Sequence, residues 1–304
     1  MKGIFMNSFI VSDALRVLEN ERVKFYFTGN DSLLITHPRS FDLADNNCVC
    51  FSRNDSIDLP EKIPEALIIL KENHPLDNIS GTILLVENPD LCFCIVASLL
   101  FEKAKPGCHE TAVISTHAKV EKEVSIGAFT FIGDNVHILD GVSIGSSCVV
   151  DNAVIGRNTT ILSGVKIGSP GLGSNKDIKG QWHDFPHFGR VIIGDNVVIQ
   201  DNTVVNRGNL NDTIIKNGVR IGPLCWIAHG VCIGRDAFLA QGVTVAGSVN
   251  VDENSLVWGN ASIRDGITIG KGSEIGMGSV VTKDIPGGET WAGNPAKFLK
   301  EHGV

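Results

Sequence analysis

His229 follows the aliphatic Ile227 by two residues, in the run Ile227-Ala228-His229. An imidazole titrates near neutrality and can take a proton from an attacking amine. Eighteen residues later stands Gly247. Its backbone N–H can serve as an oxyanion donor, and the missing side chain leaves room beside the imidazole. Between Ser169 and Gly189 lies a run carrying Trp182, His183, Phe185 and His187, side chains suited to stacking on a polar ligand or hydrogen-bonding to it. Plainer alternatives stand beside these: a corner histidine satisfied by backbone carbonyls, and a loop that only packs on a neighbouring subunit. Near the end, Lys283 and Lys297 can meet phosphates as charge-assisted donors. Cys48/Cys50 and Cys92/Cys94 are spaced C-x-C rather than the C-x-x-C of zinc and redox sites, and read as small buried hydrophobes.

The elements that must position these residues follow from a repeat. Ile114, Val120, Ile126, Ile132, Ile138, Ile144 and Val150 are each six apart. A one-residue slip gives Ile155, Ile161 and Ile167, and after an interruption come Ile193, Ile199 and Val205. From Ile215 to Val281 every sixth residue is aliphatic, without a miss. Six fits neither the 3.6-residue helix nor a long extended strand. It fits short strands joined by tight turns, one strand per side of a three-sided coil of about eighteen residues. The aliphatic side chain points inward and stacks on its equivalent one coil later, and small residues and glycines take the corners, where positive φ is often needed. This accounts for 33 glycines in 304 residues, above the ~7% average, and for one tyrosine, Tyr26.

Ahead of the repeat, residues 1–107 read as a small α/β domain. Ser12 is placed to cap a helix over 13–20, five short β-rich runs follow, and Asn88-Pro89-Asp90 opens an apolar helix predicted over 91–102. The repeat is expected over 108–285, with 169–189 extruded as a loop, and a tail over 286–304. A net charge of −8 argues against nucleic acid, and no apolar stretch is long enough to span a bilayer. Eight cysteines with no secretory signal point to reduced thiols in a cytoplasm.

The hexad pattern resembles the hexapeptide-repeat acyltransferases, which form a left-handed parallel β-helix. A longer match lies around the breaks in the repeat. It runs through Gly180-Gln181-Trp182, Pro186-His187-Phe188-Gly189-Arg190-Val191-Ile192-Ile193-Gly194-Asp195 and Arg207-Gly208-Asn209-Leu210-Asn211-Asp212-Thr213, and ends at Ile227-Ala228-His229. Together with the domain order, this is similar to the UDP-3-O-acyl-glucosamine N-acyltransferases of lipid A synthesis. The resemblance implies His229 as general base and a homotrimer with active sites between β-helices. The tail, with Lys283, Asn294, Pro295 and Lys297, resembles the end of coenzyme A-dependent hexapeptide acetyltransferases, where it borders the cofactor.

Departures from the lipid A pattern shape the expectation. The family's carboxylate seven residues before the base is Gly222 here, so Asp212 is the expected orienting partner of His229. The family's uracil clamp is matched by Phe51 and Asn54, but its third position is Ile57. The last residues leave room only for a short helix over 298–300, where the lipid A enzymes carry a helical segment that meets acyl carrier protein. The expected function is transfer of a short acyl group from acyl-CoA, acetyl-CoA foremost, to the amine of a nucleotide-linked amino sugar. Phe51, Asn54, Trp182, His183 and Asn206 are expected on the nucleotide sugar, and no metal is expected. One alternative keeps acyl carrier protein as donor of a long 3-hydroxyacyl chain. Another, a β-helix metal hydratase, would need three histidines converging at a subunit interface.

Overall fold

The computed structural model describes residues 7–54, 64–76, 81–101 and 105–302. The chain divides into two compact units, 1–103 and 104–304. Ile57 lies outside the described residues.

The first unit is built on a five-stranded sheet. Its elements are β1 (Phe9–Ile10), α1 (Val11–Asn20), β2 (Phe25–Thr28), β3 (Leu34–Ile35), β4 (His37–Pro38), β5 (Cys48–Phe51), β6 (Leu67–Lys71), β7 (Thr82–Val86) and α2 (Pro89–Ala97). The sheet order is β2-β7-β6-β5-β4; β2 is antiparallel to β7 and the other pairs are parallel. Both faces of the central strands are covered, which is why Leu67–Leu70 and Ile83–Val86 are unbroken apolar runs. Val11, Ala14 and Leu18 of α1 and Cys92 and Val96 of α2 pack on one face, against Val49, Leu67, Ile69 and Leu84. Cys48, Cys50, Ile68 and Leu70 fill the other.

Two helix predictions need correction. Helix α1 begins at Val11, so Ser12 sits inside the first turn, and the cap position is held by Ile10, which has no capping side chain. Asn88 does cap α2, its side-chain oxygen accepting from the Leu91 N–H at 3.0 Å. That helix ends at Ala97 and tightens into a 3-10 turn over Ser98–Leu100. Of the cysteine pairs, Cys94 is exposed rather than buried, and burial pushes the Cys92 thiol up to about 12.

The second unit is a three-sided parallel β-helix. Its sheets hold eight, nine and eleven strands, nearly all of two residues. The first strand is Gly107–Cys108, one residue ahead of the expected start. Register is set by the inward aliphatics: Ile132 pairs with Val150, Ile227 with Val245, and Val245 with Ile263. They form one continuous core from Val124 to Ala296. Many left-handed corners are taken by asparagine rather than glycine, as at Asn196, Asn202 and Asn260, since its short polar side chain tolerates positive φ. At the far end, Glu289–Ala292 extends a sheet, and Lys297–Glu301 returns antiparallel to it. The short helix expected over 298–300 is therefore a strand, and Trp291, 8% exposed, closes the end of the core.

Candidate active site

The nine-stranded sheet aligns Val205, Ile227, Val245, Ile263 and Val281. Two residues beyond each inward aliphatic, the turns present one column: Arg207, His229, Gly247, Asp265 and Lys283. Turn-to-turn bonds hold it, Ser248 N–H donating to the His229 carbonyl and Gly266 N–H to that of Gly247, both at 2.9 Å.

The His229 ring closely approaches Gly247. A Cβ on Gly247 would come within 2.5 Å of His229 Cε1, 2.7 Å of its Nε2 and 2.7 Å of Asp265 Oδ2. With the imidazole and the carboxylate in these positions, a side chain at 247 would have to displace one of them. Among the described residues the Gly247 N–H has no acceptor.

The 169–189 segment leaves the β-helix and contains an antiparallel hairpin, Ser174–Lys176 against Trp182–Asp184. Its base returns over His229: a Cβ on Gly171 would lie 3.3 Å from both His187 Nε2 and His229 Cδ2. The two imidazoles meet edge to face with centroids 5.7 Å apart. His187 Nε2 is buried without a hydrogen-bond partner among the described residues. At the hairpin, Leu172, Ser174, Trp182 and Asp184 line a cleft of about 470 Å³. Trp182 is 61% exposed, with Lys176 Nζ 4.7 Å from its ring centroid.

Several expected site residues hold other posts. Asn206 is buried, its amide N–H groups donating to the carbonyls of Ser169 and Pro170 while its oxygen accepts from Trp226 Nε1 at 2.7 Å. With both ends of its amide engaged it anchors the loop base and is not presented to a ligand. Asp212 accepts from the Arg190 N–H at 2.7 Å and lies 3.7 Å from the same residue's guanidinium. It braces the second break in the repeat, and no bond joins it to His229. His183 Nε2 lies 3.1 Å from Asp177, which also accepts from the N–H groups of Lys179 and Gln181. These bonds, that to His183 foremost, hold the Asp177 carboxyl below the usual carboxylate range. His183 thus stiffens the hairpin tip.

In the first unit, Phe51 is half-buried and stacks on Phe93 with centroids 4.6 Å apart. Asn54 is exposed, its N–H donating to Ser52 Oγ at 3.2 Å. Nearby, the carboxyl ends of β5, β6 and β7 and the start of α2 border a cleft of about 410 Å³, with Arg53, Lys71, Glu87 and Asp90 in its wall. Arg53 donates to both Asp90 oxygens, at 2.6 to 3.0 Å. Crevices outside the carboxyl ends of parallel strands are the usual ligand sites of such sheets.

At the end of the β-helix, Asn294, Pro295 and Lys297 are exposed, and Lys283 Nζ lies 4.7 Å from the Trp291 ring centroid. The histidines that a metal hydratase would need are dispersed. His117 lies 3.4 Å from Asp134 and His137 3.3 Å from Glu121, while His187 and His229 alone face each other.

Residues 107–211 match the GMPPB C-terminal domain, and 249–283 match the hexapeptide repeat of succinyl-transferase. The UDP-3-O-acylglucosamine N-acyltransferase of Caulobacter sp. (strain K31) is 38% identical over 117 residues, 38% of this chain and 34% of that protein. The enzyme of that name from Coxiella burnetii is 38% identical over 186 residues, 54% of each chain. Among solved structures, LpxA from Acinetobacter baumannii superposes with a TM-score of 0.58 at 29% identity, over 64% of this chain and 74% of that one. The chain thus spans a third to about half the length of these curated relatives. It carries the hexapeptide repeat, has the left-handed parallel β-helix, and is homologous to UDP-3-O-acylglucosamine N-acyltransferases and LpxA-like acyltransferases.

Proposed function

We propose that this chain transfers an acyl group from an acyl thioester to the amine of a nucleotide-linked amino sugar, acting as a homotrimer like the family it resembles. The observation that carries this reading is the seating of His229 against Gly247 beneath the loop base. A general base and an unengaged backbone N–H then lie one coil apart, about 4.8 Å along the stack.

His229 takes a proton from the amine as the nitrogen attacks the thioester carbonyl. The Gly247 N–H receives the oxyanion of the tetrahedral intermediate. The C–S bond breaks, and the imidazolium returns its proton to the leaving thiolate. Trp182 and the hairpin cleft hold the sugar nucleotide.

We read the donor as acyl-CoA, acetyl-CoA foremost. The corner column runs from His229 to Lys283 over three coils, roughly 14 Å, so a thioester on an extended arm can lie along it. Lys283, Asn294, Pro295 and Lys297 stand at its far end, with lysine ammonium groups of the right charge for phosphates. Mechanism requires no metal. The test is turnover of a nucleotide amino sugar with acetyl-CoA and, separately, with 3-hydroxyacyl-loaded acyl carrier protein. Turnover with the carrier protein and none with acetyl-CoA would overturn the donor reading while leaving the transfer reaction in place.

A further inference from the structure

Asp265 enters none of the steps above, yet its Oδ2 shares the space beside Gly247 with His229 Nε2: each lies 2.7 Å from the point a Gly247 Cβ would occupy. No hydrogen bond or ion pair joins the two side chains, and Asp265 forms none with any other described residue. The carboxylate and the imidazole therefore flank one narrow gap, next to the N–H assigned to the oxyanion.

We propose that Asp265 is the acceptor-selecting residue of this site, facing the attacking atom across from His229 and making the enzyme take an amine in preference to a hydroxyl. The inference rests on the acyl-transfer reading above. An ionised carboxylate only accepts hydrogen bonds. An attacking amine carries two N–H groups, one for His229 Nε2 and a second for Asp265. As the N–C bond forms, the nitrogen gains positive charge, which the facing carboxylate stabilises until His229 has taken the proton. A hydroxyl has a single hydrogen. When His229 takes it, the oxygen turns only lone pairs toward the carboxylate, and like charge meets like. Asp265 is exposed, so the discrimination comes from this facing charge and not from a buried group left unmatched.

The test compares the wild-type chain with Asp265→Asn and Asp265→Glu, using UDP-glucosamine and UDP-glucose as paired acceptor probes. These differ at one carbon, amine against hydroxyl. Affinity is read by calorimetry, and acyl transfer by thiol release with product mass. The wild type is expected to bind the amine probe at least tenfold more tightly and to acylate it alone. Asp265→Asn is expected to lose most of that binding preference and to drop kcat/KM for the amine by about 10 to 1,000-fold, with an unchanged melting temperature. Asp265→Glu is expected to restore part of both. If Asp265→Asn keeps the full preference for the amine while the wild type is active, the acceptor role is overturned and the transfer reaction stands. If the wild type acylates neither probe and binds them equally, both fall together.

Discussion

At the scale of single residues, the site depends on one close approach. His229 occupies the volume a side chain at 247 would need, so Gly247→Ala must push the imidazole or Asp265 aside. Both are side chains free to turn, so the melting temperature should hold within a few degrees while kcat falls by ~100-fold or more. His229→Ala should likewise lose ~100 to 10,000-fold in turnover with little loss of stability, since the ring is only half-buried. Near-normal turnover in either variant, read by thiol release, would contradict the assignment. His229 and Gly247 were legible in the chain because their spacing equals one coil. Asp265 lies one coil further, at the same corner, and the same arithmetic would have found it. Asp212 shows the opposite failure: spacing set it near the base, but the break in the repeat turns it onto Arg190. His187 could not be read in this way, because the path of an extruded loop, not its sequence position, brings it back to His229.

At the scale of elements, the loop is held at its base by Asn206 and at its tip by Asp177. Asn206→Ala would strand the Trp226 N–H and two loop carbonyls, costing about 1–3 kcal/mol by urea unfolding and raising KM for the sugar nucleotide. The tip responds to pH with a definite sign. Asp177 is held below its ordinary pKa, so its contribution is complete above the ordinary carboxylate value and disappears as pH falls through the lowered one. Hydrogen-exchange protection across 177–183, taken relative to the intrinsic rate at each pH, should therefore fall only in acid, and Asp177→Asn should remove that dependence. Extrusion of this segment followed from its length, which exceeds any turn of the coil. The strand at Lys297–Glu301 did not, because a short apolar run such as Phe298-Leu299 suits helix and strand alike, and the open sheet edge at Glu289–Ala292 decided between them.

At the scale of the molecule, stability is spread along a stack in which each coil touches only its neighbours. Ile199→Ala, fully buried and away from His229, should cost about 2–5 kcal/mol in urea unfolding while leaving kcat unchanged below the transition. The β-helix was legible because a six-residue period admits few other structures. The α/β unit was legible in its strands, which are buried on both faces and read as continuous apolar runs, but less so at helix ends, where capping competes with packing. The central claim is that this molecule moves an acyl group onto an amine with His229 as base. It is tested most directly by mass spectrometry of the acceptor after incubation with acetyl-CoA and a panel of nucleotide amino sugars, with thiol release followed in parallel. One panel member should gain a single acetyl on nitrogen, matched mole for mole by free thiol, and His229→Ala should abolish both signals. Acylation of no panel member with either acetyl-CoA or acyl carrier protein as donor, or a His229→Ala variant that acylates as fast as the wild type, would overturn this assignment.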